Sequence, residues 1–299
     1  MLTAPRSLAW VSETLPSPGL QEVVVETRVS AISIGSELPL YQGIMSVSHP
    51  RRMGYENVGR VVACGPSVQH LRPGDRVVGF YGQRTLALVP EHMLLPVPKD
   101  VSDSLALLAI LTCDAAKGVR RLAPLPEEIV LITGAGAMGL LTLFILRAYG
   151  VMAVDVVEPL VARHALAYKL GARQVLRPEA LAERGEIYTL AFECSSRNSA
   201  FSLLQEHMGE HGRICITADG NLEPLMLIPA FHKRELQVIG SSDGWDYQKH
   251  AAWYFQYVQQ HRTHLDLLFE KEILHTELIE TFAQLDHGEI QPVKVLVHY

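Results

Sequence analysis

Residues 129–139 read I-V-L-I-T-G-A-G-A-M-G, a β-branched run that breaks into three glycines and continues as an apolar helical pattern. Gly134, Gly136 and Gly139 fit G-x-G-x-x-G, with Ala135, Ala137 and Met138 at the variable positions. The first glycine permits a tight turn out of a strand, the second lets backbone approach a ligand, and the third lets a helix pack close to the strand. Unpaired amides and the positive end of the helix dipole then favour phosphate groups. The eighteen residues Ile129–Leu146 carry no charge, which meets the length of a membrane span. Their glycines and β-branched start fit a buried strand, a turn and a buried helix instead.

Ala153–Val157 is a second strand candidate, and it ends in Glu158, 19 positions past Gly139. An acid at that distance is expected to accept hydrogen bonds from a ribose. It would also repel a 2′-phosphate, and Pro159 and Leu160 supply no cation to welcome one; Arg163 comes a turn later. The expected cofactor is therefore NAD rather than NADP. Three further strand candidates (Thr189–Phe192, Arg213–Thr217, Leu236–Ile239) alternate with helical patterns around residues 139–149, 160–170, 199–208 and 247–261. That alternation predicts an α/β domain with a doubly wound parallel sheet. The first hundred residues differ: Glu22–Ile34, Val58–Ala63, Arg76–Phe80 and Thr85–Val97 are strand-like runs separated by turns such as Pro73-Gly74. The extended tail Val293–Val297 breaks the alternation and is expected to return to this β part. The predicted organisation is a β-barrel domain over 1–108, completed by 268–299, and a Rossmann domain over 109–267.

Composition narrows the function classes. With 48% hydrophobic residues the 299-residue chain can bury a large core, and 26 basic against 32 acidic residues favour neither nucleic acid nor an anionic membrane. Four cysteines (64, 113, 194, 215) form no C-x-x-C pair and read as reduced, mostly buried thiols. The N-terminus has no long apolar core, so a cytoplasmic protein is expected. His207/His211 and His261/His264 have helical spacing but read as solvated faces rather than metal ligands.

Several blocks in order, V-S-A-I-S-I-G-S-E (29–37), M-G-Y-E-N-V-G-R-V (53–61), L-R-P-G-D-R-V (71–77), the glycine motif, E-P-L-V-A-R (158–163), H-G-R-I-C-I-T (211–217) and V-K-V-L-V (293–297), resemble the medium-chain dehydrogenase/reductase superfamily, the alcohol dehydrogenase relatives. The resemblance implies a GroES-like barrel beside the Rossmann domain, a small-molecule substrate, and a homodimer or homotetramer joined through sheet edges. It also implies cofactor contacts at Lys294 and at Asp114, for which a helix-capping role is the competing reading. The catalytic-zinc ligands of the family fall at Ile34, Tyr55 and Ile110, none of which offers a thiolate or imidazole, and the family's four-cysteine lobe is missing. No metal is expected.

Without a Lewis acid, a proton donor must serve the carbonyl. The resemblance places Ser36 at the family's relay hydroxyl and Tyr55 at a zinc ligand's position, so Tyr55 is the expected acid and Ser36 the relay, with Glu37 or Glu56 orienting the phenol. Tyr55 filling the emptied zinc cavity is the competing role. Pro39 stands where the relay would continue with histidine. The texture from Ser33 to Gly43 resembles the short zinc-free members typified by bacteriochlorophyllide hydroxyethyl dehydrogenase. The expected function is hydride transfer between NAD(H) and a secondary alcohol or ketone. A quinone or enoyl reductase is a second reading, and a non-catalytic NAD-binding protein a third.

Overall fold

The computed structural model describes residues 1–218 and 223–299. The chain divides into two compact units, Met1–Ile110 with Tyr247–Tyr299, and Leu111–Asp246.

The first unit opens with a small antiparallel pair, β1 (Leu2–Ala4) and β2 (Ser7–Leu8). In β3 (Glu22–Ile32) alternate residues Val23, Val25, Thr27 and Val29 are buried, the period of a strand with one face on a core. The strand expected to reach Ile34 stops at Ile32. Ser33 leaves extended geometry (φ −89°, ψ 89°), and α1 (Ile34–Gln42) starts at once. Gly43 ends α1 in the left-handed region (φ 74°), where glycine carries no Cβ penalty. Then come β4 (Glu56–Cys64), β5 (Arg76–Gly79), β6 (Leu86–Pro90), β7 (Leu94–Pro96) and α2 (Asp103–Leu107). Ser102 caps α2, its Oγ accepting from the Leu105 amide at 3.2 Å.

The second unit takes in most of α3 (Ala109–Leu122) and then alternates: β8 (Val130–Thr133), α4 (Ala137–Ala148), β9 (Val154–Val157), α5 (His164–Lys169), β10 (Gln174–Leu176), α6 (Pro178–Ala182), β11 (Tyr188–Glu193), α7 (Asn198–His207), β12 (Met208–Ile216), α8 (Pro229–Lys233) and β13 (Gln237–Gly240). The six strands pair in parallel in the order β10-β9-β8-β11-β12-β13. β10 is one strand more than the periodicity showed; at three residues it is too short to leave a pattern. The uncharged run divides into β8, a turn and α4, and among the described residues no helix is long and apolar enough to cross a membrane.

The chain returns to the first unit with α9 (Tyr247–Gln260), β14 (Phe269–Leu274), α10 (Leu278–Asp286) and β15 (Lys294–His298). Residues 247–267, expected in the Rossmann half, group with the barrel. The Tyr254 hydroxyl donates to the Leu105 carbonyl at 2.9 Å, and Gln248 Nε2 to the Leu94 carbonyl at 3.0 Å. β15 joins the barrel sheet between β14 and β3, in the order β14-β15-β3-β4-β5-β7 with β6 on β3. Two apolar clusters fill this unit, one around Ile32, Tyr41, Phe282 and Val295, the other around Val23, Val61, Val77 and Leu94. All four cysteines are free thiols; Cys113 and Cys215 are buried, Cys64 and Cys194 half-buried.

Candidate functional site

In the second unit the glycine loop leaves β8 with Gly134 at φ +89°, a conformation that L side chains rarely hold. A Cβ on Gly139 would stand 1.8 Å from the Gly134 carbonyl oxygen, so the first turn of α4 lies against the loop it springs from. Around Gly136, the N-cap of α4, a Cβ would meet nothing within 4 Å. Strand, tight turn, open backbone and helix N-terminus thus come together as phosphate binding requires.

Glu158 sits at the end of β9, only 3% exposed. Its Oε2 accepts the Ala135 amide at 2.7 Å and its Oε1 the Leu160 amide at 2.8 Å, which fixes the carboxylate to the loop. Arg163 approaches to 3.9 Å, and its Nε is a buried donor without a partner. Such an atom costs free energy until something accepts from it. The open cradle, the fixed carboxylate and this orphan donor fit a dinucleotide. Asp114 lies inside α3, half-buried and away from either helix end. His207 is buried with ring nitrogens 3.1 Å from the Leu203 and Leu181 carbonyls, and His211 lies in β12, so these two do not share a helix face.

In the first unit three segments meet around Tyr55. Gly54 precedes it at φ +85°, and a Cβ there would strike Gln83 at 2.6 Å, so glycine alone lets the chain deliver Tyr55 in this way. The Tyr55 hydroxyl donates to Ser33 Oγ at 2.6 Å and lies 3.0 Å from Ser36 Oγ. Burial raises the phenol's pKa above its ordinary value, the charge of Glu56 adds to this, and the serine hydrogen bonds oppose it. Glu37, 2% exposed, accepts the Ser33 amide on Oε2 at 2.8 Å, while Oε1 is buried with no partner. Burial pushes its carboxyl up to about 7 against the pull of the Ser33 amide.

Glu56 and Lys294, both fully buried, form an ion pair at 2.7 Å between β4 and β15. Burial raises the Glu56 carboxyl, and the lysine opposes that rise. Lys294, expected at the cofactor, is instead committed to Glu56. Sequence reasoning missed Ser33, the residue that joins the cluster. It occupies the N-cap of α1, yet its side chain caps nothing and serves Tyr55. A serine at a strand-to-helix junction was the available signal.

The positions that the resemblance assigns to zinc ligands carry side chains that do not fit a metal. Ile34 and Ile110 are hydrocarbon, and Tyr55 is engaged with two serines. Among the described residues no three His, Cys, Asp or Glu side chains gather into a group that could hold an ion.

Residues 19–99 match the alcohol dehydrogenase GroES-like domain family. A curated relative, the L-threonine 3-dehydrogenase of Pyrococcus horikoshii, is 29% identical over 202 residues, covering 56% of this chain and 58% of its own length. The chain thus spans less than two thirds of that relative. Among solved structures, a Sinorhizobium meliloti 1021 protein described as a zinc-binding dehydrogenase and bound to NADP superposes with a TM-score of 0.88 at 20% identity, covering 100% of this chain and 98% of that one. A short chain alcohol dehydrogenase from E. coli CFT073 complexed with NADH gives 0.86 at 21% identity, with 100% and 98% covered. At these identities the structures show a shared fold. Residues 19–99 thus match the GroES-like domain of alcohol dehydrogenases, and the chain shares the fold of these dehydrogenase structures, with that domain in its first unit and a Rossmann-type parallel sheet in its second.

Proposed function

We propose that this protein is an NAD(H)-dependent oxidoreductase that interconverts a secondary alcohol and a ketone without zinc. The observation that carries the reading is the hydroxyl cluster Ser33–Tyr55–Ser36, built around Tyr55, the residue that the resemblance puts at a zinc ligand's position. The backbone amides of residues 134–139 and the N-terminus of α4 would hold the pyrophosphate. Glu158 would accept from the ribose hydroxyls, with Arg163 beside it. When bound, the nicotinamide ring supplies the site that takes or gives the hydride.

Tyr55 stays a neutral phenol because its pKa is raised. It therefore acts on a substrate carbonyl as a hydrogen-bond and proton donor, with Ser36 replenishing it. Glu56 and Lys294 hold β4 and β15 together behind the cluster and need not touch substrate. The narrower likeness to the bacteriochlorophyllide-type members rests on the Ser33–Gly43 texture together with Gly54-Tyr55-Glu56 and the acidic Glu158. The names of the relatives likewise point to hydroxyl-bearing substrates.

The test is turnover of NADH and NADPH on ketone, quinone and enone panels, before and after exhaustive chelation. NADH-linked ketone reduction that survives chelation, and that falls about 100-fold in a Tyr55→Phe, Ser36→Ala double variant, is expected. Quinone turnover with NADPH alone, tight NADH binding without any turnover, or loss of activity on chelation would each defeat the reading.

A further inference from the structure

The Tyr55 cluster depends on two segments arriving at the right separation. Ser33 and Ser36 come from the end of β3 and the start of α1, and Tyr55 from the residues entering β4. Hydroxyls rotate to suit their neighbours, so the bonds inside the cluster do not themselves fix that separation. A side chain outside the cluster touches both segments. Gln83 lies between β5 and β6, where its Nε2 donates to the carbonyl of Ala31, two residues before Ser33, at 3.1 Å. Its Oε1 accepts from the Ser30 hydroxyl and, at 2.8 Å, from the Tyr299 hydroxyl. Its backbone amide donates to the Met53 carbonyl at 2.7 Å. The side chain also lies on the bare Cα of Gly54: a Cβ there would stand 2.6 Å from Gln83 Cγ and 2.8 Å from its Cδ.

The amide can face only one way. The Ala31 carbonyl has no proton to give, so it meets the NH2 group, which turns Oε1 toward the two hydroxyls. Gln83 is itself held in place. Asn57, buried on β4 two residues after Tyr55, accepts the Tyr81 and Gly82 amides on Oδ1 at 3.2 and 3.1 Å. Its Nδ2 donates to the Gly82 carbonyl at 2.9 Å. The Met53 and Asn57 bonds thus bracket Tyr55 along the chain, and the Ala31 bond ties that bracket to the strand leading into Ser33.

We propose that Gln83 is a positioning residue that sets the reach of the Tyr55 hydroxyl toward Ser33, Ser36 and the substrate carbonyl. The proposal rests on the oxidoreductase reading and adds the group that aligns its proton donor. Gln83 acts through Gly54 and Ala31 and exchanges no proton itself. A reacting group displaced by about 1 Å loses about 100-fold in rate, so an amide that holds both segments bears on kcat from outside the cluster.

Gln83→Met keeps the length of the side chain and removes its three hydrogen bonds. Its kcat for ketone reduction should fall about 10- to 100-fold, with the KM for NADH within about twofold of the wild type. A general structural defect would slow the enzyme whether or not residue 55 keeps its hydroxyl. A residue that works by aligning that hydroxyl has nothing left to align once it is gone. Adding Gln83→Met to Tyr55→Phe should therefore slow that variant by less than about twofold. A full additional loss in the double variant would overturn the proposal.

The free protein supplies an arm that needs no turnover. With tyrosines isotopically labelled at Cζ, the Tyr55 resonance is the one missing from the spectrum of Tyr55→Phe. It should shift in Gln83→Met, and by a smaller amount in Tyr299→Phe, which removes one of the two donors to Oε1. If Gln83→Met does not fold, Tyr299→Phe alone decides. A Tyr55 resonance unmoved in the folded variants would overturn the proposal. A resonance that moves in a protein without turnover on any ketone would uphold the hold of Gln83 on Tyr55 and defeat the oxidoreductase reading instead.

Discussion

The loop at 134–139 and the cluster at Tyr55 are both polar sites, built by opposite means. The loop works with backbone: its glycines leave amides bare and let a helix start against a strand. The cluster works with side chains carried by α1, by the residues entering β4, and by β15. A backbone site is spoiled by adding atoms, a side-chain site by taking them away. Substitutions in the two regions should therefore fail in different ways.

The largest effect is expected at Lys294. Lys294→Met leaves Glu56 buried without its partner, and breaking a buried ion pair from one side costs about 3–5 kcal/mol. Urea unfolding should show that loss. Adding Glu56→Gln should recover at least about half of it, because no buried charge then remains. If the double variant is no more stable than Lys294→Met alone, the cluster depends on lysine packing rather than on charge.

Gly139 tests the loop from the other side. An alanine Cβ would sit 1.8 Å from the Gly134 carbonyl oxygen, so α4 must shift away from β8. Overpacking of this kind costs about 3 kcal/mol, and NADH affinity should collapse along with stability. Retained stability would mean that the helix start is looser than its contacts imply.

Glu37 should show an effect whose size depends on pH. Its folded-state pKa, about 7, lies above the ordinary 4.5, so the folded protein holds the proton more tightly than the unfolded chain does. Its stabilising contribution is complete below about 4.5 and is lost as pH rises through about 7, a fall of roughly 3 kcal/mol. Glu37→Gln mimics the neutral form. It should match the wild type near pH 4.5 and exceed it by about that amount above pH 8. Equal stabilities at both ends would place the carboxylate in a better-solvated setting than its burial indicates.

The same contrast explains what could be read from the chain before its structure. The glycine loop's geometry was legible because it is set by spacing along one segment, as was the barrel with its returning tail, through strand periodicity. β10 and α1 were not: one is three residues long, and the other holds Pro39 and follows a β-branched run that reads as continuing strand. Ser33 went unnoticed for a deeper reason. Its role depends on Tyr55, 22 positions away, reaching it across the barrel end, and no local pattern encodes that approach. The pairing of Lys294 was hidden on the same ground, since its partner Glu56 is 238 positions distant.

Gly136 sharpens the comparison most, although its expected effect on stability is the smallest. Its backbone (φ −80°, ψ −175°) is extended and open to any residue, and a Cβ would touch nothing within 4 Å. Alanine is a poorer N-cap than glycine by about 0.5–1 kcal/mol, but it also loses less entropy on folding, by about 0.4–1 kcal/mol. The two terms nearly cancel, so Gly136→Ala should unfold within about 0.5 kcal/mol of the wild type. The added methyl would nevertheless occupy the space that a pyrophosphate must enter. NADH affinity should weaken about tenfold or more, which equals about 1.4 kcal/mol of binding free energy. Calorimetric titration of NADH alongside urea unfolding separates the two quantities. Unchanged affinity would show that the open space at Gly136 is not where phosphate binds, and the loop would lose its claim to be a backbone-built site.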